Sequence, residues 1–172
     1  MQKAVFLDKD GTLVDNSQYP KIIPKDKLLG DILEGLKYIQ NKRYKIFILS
    51  NQPWIAKGKM TKNEVEQVFR NITQKLKGKG ITIDDYFYCP HQSSDNCKCK
   101  KPKNNLIKKA AKKHNINLKH SYIIGDMDQD ILAGKKSQMK TILVLTGLGN
   151  MYKDTIKADY VINNLNDVKN IL

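Results

Sequence analysis

A four-residue apolar run, Ala4-Val5-Phe6-Leu7, stops at Asp8-Lys9-Asp10-Gly11-Thr12, and the rest of the chain is organised around this break. So short and uninterrupted a run predicts a buried strand, and Gly11 allows the sharp turn that follows it. In an extended segment Asp8 and Asp10 fall on one side, because side chains alternate with period two. Two carboxylates that close repel unless a cation lies between them, so the pair points to a divalent metal with hard oxygen ligands. Taken alone, the same residues also suit a polar turn, where Asp and Gly are common. The decision rests on what the remaining sequence brings to the same place.

Three further apolar segments also end in polar residues. Lys45-Ile46-Phe47-Ile48-Leu49 runs into Ser50-Asn51-Gln52, Tyr86-Phe87-Tyr88 into Cys89, and Ser121-Tyr122-Ile123-Ile124 into Gly125-Asp126. Additional strands are predicted over 141–145 and 160–162. Helical patterns separate them over 31–42, 61–77, 105–114 and 129–136, with a terminal helix from about residue 164. Thr61-Lys62-Asn63-Glu64 has the spacing of a capping box, Gly78 and Gly80 close that helix, and Asn115 suits a C-terminal stop. Residues 14–29 read as irregular, broken by Pro20 and Pro24. Strands alternating with helices imply parallel pairing and right-handed crossovers. The expectation is a three-layer, Rossmann-like α/β fold with a mostly parallel sheet, in one domain over residues 1–172.

The chain has 172 residues and 40% hydrophobic content, enough for one sizeable core. No apolar run approaches the ~20 residues of a membrane span. Met1-Gln2-Lys3 leads straight into the first strand without a signal-peptide layout, so a cytoplasmic location is expected. A net charge of +14 favours anionic partners, but the lysines are spread over almost every predicted helix. That dispersal argues against nucleic acid as the partner. No association surface is legible, and a monomer is expected.

The three cysteines lie within Cys89-Pro90-His91-x5-Cys97-Lys98-Cys99. Three thiolates and one imidazole make the closed tetrahedral set of a structural zinc site. The alternative, three buried cysteines and a surface histidine, suits a segment rich in Ser, Asp, Asn and Lys poorly. With all four ligands from protein there is no open position, so zinc is given a folding role: bracing the loop that delivers Lys100 and Lys101. His114 and His120 lack such company and are expected at the surface.

Ligands of open α/β sheets bind beyond the carboxyl ends of the strands. If the four polar strand ends are neighbours, Asp8, Asp10, Ser50, Asn51, Lys101 and Asp126 share one crevice. Magnesium held by carboxylates, together with a lysine, can neutralise a phosphate, while a hydroxyl and backbone donors orient its oxygens. One carboxylate is then free to attack phosphorus and a second to pass a proton to the leaving oxygen.

Asp8-x-Asp10-Gly11-Thr12, Ser50-Asn51-Gln52, Lys101-Pro102-Lys103 and Gly125-Asp126-x-x-x-Asp130 occur in the order of the haloacid dehalogenase (HAD) superfamily of phosphohydrolases, which the chain resembles. Ser50-Asn51-Gln52-x-x-Ile55-Ala56-Lys57-Gly58 and the cysteine segment through Lys103 look like the D-glycero-D-manno-heptose 1,7-bisphosphate 7-phosphatases. Histidinol-phosphate phosphatases are similar. The resemblance implies Asp8 as nucleophile and magnesium ligand, and Asp10 as general acid and base, touching the metal through its backbone carbonyl. It implies Ser50 and Lys101 on the transferring phosphoryl group, Asp126 as the remaining protein ligand of magnesium, and Asp130 as its supporting residue. Asn51, Gln52, Lys100 and Trp54 are the implied substrate contacts. Asp128 matches no family position and suits a helix start.

The spacings leave no room for a cap domain, so specificity is expected in the loops over 15–24 and 53–60 and in the zinc loop. The chain departs from the heptose pattern at Ser50 (usually Thr), at Lys57 and Lys100 (usually Arg), and at Pro53-Trp54 (usually Ser-Gly). Lys lacks the bidentate fork of Arg, and Trp54 either stacks on substrate or merely packs its loop. The leading expectation is a magnesium-dependent phosphatase acting on a small phosphorylated sugar, the heptose bisphosphate first. The alternatives are a histidinol-phosphate phosphatase, a nucleic-acid 3′-phosphatase, or a zinc-stabilised basic nucleic-acid-binding module that would leave the aspartates unexplained.

Overall fold

The computed structural model describes residues 1–18 and 21–172; Pro20, expected to break the irregular stretch 14–29, lies outside the described residues. Strands β1 (Ala4–Leu7), β2 (Lys45–Asn51), β3 (Asp85–Cys89), β4 (Tyr122–Gly125), β5 (Lys140–Val144) and β6 (Tyr160–Ile162) form one sheet in the order β3-β2-β1-β4-β5-β6. Every pairing is parallel. The chain winds outward from β1 to β3, then returns beside β1 and winds the other way. The strand order therefore reverses between β1 and β4, and a crevice opens there beyond the carboxyl ends.

Alternation along the strands supplies both faces of the sheet. Val5, Leu7, Ile46, Ile48, Ile124 and Ile142 face one way, against α1 (Leu33–Asn41), α2 (Lys62–Lys77) and the C-terminal segment. Ala4, Phe6, Phe47, Leu49 and Ile123 face the other, against α3 (Asn105–His114) and α4 (Asp128–Lys136). Strands covered on both sides need apolar residues at every position, which is why β1 shows no polar alternation. The capping box of α2 is present in full: Thr61 Oγ1 accepts from Glu64 N–H (3.2 Å), and Glu64 accepts from Thr61 N–H (2.7 Å). Among the described residues, α1 is the only helix between β1 and β2, and α2 the only one between β2 and β3, so neither connection carries a cap domain.

Three features differ from the sequence expectations. The predicted terminal helix is a six-residue 3₁₀ segment, Leu165–Asn170, too short to gain much from α-type bonding. The single-turn α5 (Gly149–Tyr152) and the 3₁₀ turns Ser93–Asp95 and Leu118–His120 were not predicted, since one turn shows no periodicity. His114, expected at the surface, is partly buried. Its ring packs 4.8 Å from that of Phe47, and its Nε2 lies 2.8 Å from Asp85 Oδ2, so this one residue at the end of α3 faces the sheet while Lys112 and Lys113 stay exposed. Among the described residues no helix is long and apolar enough to cross a membrane.

Candidate active site and metal sites

The register aligns Leu7 with both Ile48 and Ile124, so Asp8 emerges at the floor of the crevice, its N–H still donating to Ile124 O (2.9 Å). Asp126 follows β4 directly on the neighbouring strand. Carboxylate oxygens of Asp8, Asp126 and Asp130 lie within 4.8 Å of one another, and all three residues are buried. Lys101 arrives from the far side of the cysteine loop. Its Nζ donates to Asp8 Oδ1 (2.6 Å), Asp130 Oδ1 (2.5 Å) and Leu49 O (2.9 Å). Burial is the largest influence on this ammonium and opposes its charge, but Asp130 and Asp8 outweigh it and hold the pKa above the ordinary lysine value. Of the residues expected to share one crevice, Asp8, Lys101 and Asp126 meet here, joined by Asp130.

One ammonium cannot neutralise three carboxylates. Burial, then repulsion from Asp8 and Asp130, pushes Asp126 up to about 8, and its Oδ1 is buried without a hydrogen-bond partner. Its Oδ2 accepts from Leu148 N–H (2.9 Å) and is gripped by two left-handed glycines. A Cβ on either Gly11 (φ +86°) or Gly147 (φ +59°) would stand 2.2 Å from it. Thr146 Oγ1 donates to Gly11 O (2.7 Å), locking the two turns together. Nothing in the local sequence assigned Gly147 and Leu148 to the site; a glycine just past a buried strand is the only signal they offered.

Asp10 does not join the three-carboxylate cluster. It sits in the turn beyond β1, where Lys9 Nζ pairs with its Oδ1 and Gln52 Nε2 donates to its Oδ2 (3.0 Å). Burial raises its pKa, with Lys9 opposing and Asp8 adding. The two aspartates expected to share a cation are thus each served by a separate lysine. Gln52, implied as a substrate contact, is 2% exposed, and its amide also donates to Ser50 Oγ (2.8 Å). It orders Asp10 and Ser50 from behind rather than lining the cleft. Asn51 lines the cleft but also brackets the main chain of Lys101: its Oδ1 accepts from Lys101 N–H (3.0 Å) and its Nδ2 donates to Lys101 O (3.2 Å). Gln129 Oε1 accepts from the same Nδ2 (2.8 Å). Both oxygens of Asp130 are engaged, one by Lys101 and one by Met127 N–H (3.2 Å), as suits a supporting residue. Asp128 occupies the first position of α4, where its Oδ1 accepts from Gln129 N–H.

Above this floor lies a cleft of about 270 Å³. Its walls include Asp8, Asp10, Trp54, Lys57 and Lys100, together with Asn16, Gln92, Ser93 and Gln129, which sequence reasoning did not single out. Trp54 is 8% exposed and belongs to the core while also lining the cleft, with Lys57 Nζ 5.2 Å from its ring centroid. Its burial meets the reading in which it packs its loop. Lys100 Nζ donates to Ser93 Oγ (2.8 Å) at the rim.

The cysteine loop forms a second cluster. Cys89, Cys97 and Cys99 sulfurs lie 3.0–3.6 Å apart, and His91 Nδ1 lies 3.2 Å from Cys99 and 3.6 Å from Cys89. These separations exceed the ~2.05 Å of a disulfide and are those of four ligands around one cation. Burial and the neighbouring thiols raise Cys89, whereas N–H donation from Lys100 and Cys99 overcomes burial to bring Cys97 down to about 7. Lys100 N–H donates to Cys97 Sγ (3.4 Å), so the cluster touches the residue that precedes Lys101.

Comparison with known proteins places this geometry in context. Residues 98–168 match a HAD-hydrolase-like family model. The chain is 31% identical to the D-glycero-beta-D-manno-heptose-1,7-bisphosphate 7-phosphatase of Pasteurella multocida, covering 100% of this chain and 97% of the relative. It is 37% identical to the corresponding Helicobacter pylori protein over 84% of this chain and 83% of the relative. A Photorhabdus laumondii relative named for the alpha anomer is 34% identical, over 84% of each chain. A solved D,D-heptose 1,7-bisphosphate phosphatase from B. bronchiseptica, complexed with magnesium and phosphate, superposes with a TM-score of 0.89 at 22% identity, covering 98% of this chain and 97% of that one. Near-full-length identity of this level, on a sheet whose switch point gathers Asp8, Lys101, Asp126 and Asp130, shows that the chain belongs to the D-glycero-D-manno-heptose-1,7-bisphosphate 7-phosphatase family of HAD-like hydrolases.

Proposed function

We propose that the chain is a magnesium-dependent phosphatase that removes the 7-phosphate of D-glycero-D-manno-heptose 1,7-bisphosphate, supplying heptose for lipopolysaccharide or another surface glycan. The observation that carries the chemistry is Lys101 Nζ bridging Asp8 and Asp130 at the floor of a cleft with further lysines, Lys57 and Lys100, in its wall. The relatives' names supply the sugar.

The site suits a hard divalent cation. Asp126 Oδ1 is buried with no hydrogen-bond partner, and three carboxylates share one ammonium. Asp8, Asp126 and the Asp10 carbonyl would hold magnesium, which prefers oxygen ligands and keeps some water. When bound, it would neutralise phosphate oxygens and draw charge from the phosphoryl group in the transition state.

The remaining steps belong to the chain's own side chains. Lys101 and the Ser50 hydroxyl orient the phosphoryl group while Asp8 attacks phosphorus. A bond forms between an Asp8 carboxylate oxygen and phosphorus, and the bond from phosphorus to the sugar oxygen breaks. Asp10, whose burial favours the protonated form, gives its proton to the departing oxygen. Asp10 then takes a proton from water as the water oxygen attacks the Asp8 phosphoryl group, releasing inorganic phosphate and restoring Asp8. Lys57 and Lys100 supply charge for a second phosphate, and Trp54 adds aromatic surface to the wall beside the sugar.

The cysteine loop would hold zinc. A tetrahedral site with ~2.3 Å Zn–S bonds has sulfur–sulfur edges of ~3.8 Å, close to the 3.5 and 3.6 Å of Cys97 from Cys89 and Cys99 and wider than the 3.0 Å between Cys89 and Cys99. Four protein ligands leave zinc no open position, so it braces the loop carrying Lys100 and Lys101. Side-by-side turnover of the heptose bisphosphate, histidinol phosphate and a 3′-phosphorylated oligonucleotide tests the substrate. A clear preference for either of the last two overturns it.

A further inference from the structure

Lys9 separates the two aspartates in sequence, yet its side chain is 1% exposed and among the largest fully buried in the protein. Its Nζ pairs with Asp10 Oδ1 and donates to Pro24 O (3.3 Å) and Lys25 O (3.4 Å). An ammonium has three protons, and here each has an acceptor. Asp8 has Lys101, so Lys9 is not needed to neutralise that carboxylate.

The contacts divide the labour around Asp10. Lys9 holds one carboxylate oxygen and Gln52 Nε2 the other (3.0 Å), which fixes the plane of the group. Gln52 is anchored toward Ser50, inside the sheet. Lys9 is anchored outward, to the backbone of a segment whose Pro24 forms part of the cleft wall. A displacement of residues 24–25 therefore pulls on Lys9 and, through it, on Asp10. Asp8 and Lys101 have no such tie.

We infer that Lys9 is a positioning residue, which anchors Asp10 to the 24–25 backbone at the cleft mouth and so keeps the carboxyl group aimed at the leaving oxygen. The inference rests on the assignment of Asp10 as acid and base given above. The competing role is a plain structural staple for the 24–25 segment.

Leaving-group dependence separates the two. A sugar alkoxide must be protonated as it departs, whereas p-nitrophenolate leaves unaided. Each of Lys9→Met, Lys9→Arg and Asp10→Asn is assayed on the heptose bisphosphate and on p-nitrophenyl phosphate at saturating magnesium. Lys9→Met is expected to lower kcat on the sugar about 10- to 100-fold, part of the full general-acid contribution, with KM little changed. Its kcat on p-nitrophenyl phosphate should stay within about threefold of the parent. Lys9→Arg, which keeps the charge and the donors, should recover most of the loss.

Equal losses on both substrates, or a rise in KM alone, would make Lys9 a staple and overturn the inference. If Asp10→Asn shows no selective loss on the sugar, the assignment of Asp10 fails first, which distinguishes the two failures. Should Lys9→Met not fold, Lys9→Gln, which still donates, is held to the same comparison.

Discussion

Gly147→Ala probes the cradle around Asp126 without touching an ionisable group. The added Cβ would lie 2.2 Å from Asp126 Oδ2 and 2.7 Å from Gly11 Cα, about 1 Å inside ordinary contact. The carboxylate cannot slide away, because Asp126 is fully buried and Gly11 backs the same oxygen. The turn at 146–148 must shift instead, breaking the Leu148 N–H bond to Oδ2 (2.9 Å). A non-glycine residue held at φ +59° costs about 1–2 kcal/mol, and the hydrogen bond to the mostly protonated Asp126 of the metal-free protein contributes about 0.5–1.5 kcal/mol. Together these give about 2–3 kcal/mol of local destabilisation. Two assays read it: urea unfolding of the metal-free protein, and phosphate release as magnesium is titrated. Because the carboxylate stays in place but loses the N–H that orients it, magnesium half-saturation should rise about 10- to 100-fold, with kcat at saturation falling by no more than that range. A variant with parental magnesium half-saturation and parental kcat would refute the cradle.

Magnesium binding should release protons at pH 7, because Asp126, pushed up to about 8 by burial and by Asp8 and Asp130, is mostly protonated without a cation. Calorimetry in two buffers of different ionisation enthalpy should show that release and its disappearance by about pH 9; no release at pH 7 would contradict the raised value. The metal-free protein should also lose stability as pH rises from about 4 toward 8. This folded-state pKa lies above the unfolded one, so the folded state binds the extra proton and loses its advantage on ionisation. Cys97→Ser should bring bound zinc below one per chain by elemental analysis and lower the melting temperature, with activity falling as the Lys100–Lys101 loop slackens. Full zinc content would exclude Cys97 as a ligand. Thr61→Ala should cost α2 about 1 kcal/mol in urea unfolding, with kcat unchanged.

Much of the architecture was legible because it is written locally. Apolar runs such as Ala4–Leu7 and the 3.6-residue stripes of α2 and α3 declare their elements without reference to neighbours. The polar residues ending those strands marked the site, since a parallel sheet gathers its carboxyl ends. Partnerships within the site were less legible. Lys101 reaches Asp8 across 93 positions and Asp130 across 29, and no spacing rule says which of two nearby lysines serves which aspartate. Lys9 stands between two acids in sequence, and only the tight turn of the fold shows that it is buried against Asp10. Gln52 follows the last strand residue and turns inward, where a substrate contact was expected. The partial burial of His114 was missed because it depends on ring contacts with Phe47 and Phe87, which no helical period records.

The central claim is transfer of the phosphoryl group to Asp8, and rapid acid quench during turnover of heptose bisphosphate labelled in its 7-phosphate tests it most directly. Labelled phosphate should appear on the peptide containing Asp8 within the first turnover, decay as inorganic phosphate is released, and be absent from a folded, zinc-replete Asp8→Asn variant that no longer turns over. Phosphate release with no labelled protein at any quench time, or label on another residue, would contradict the account.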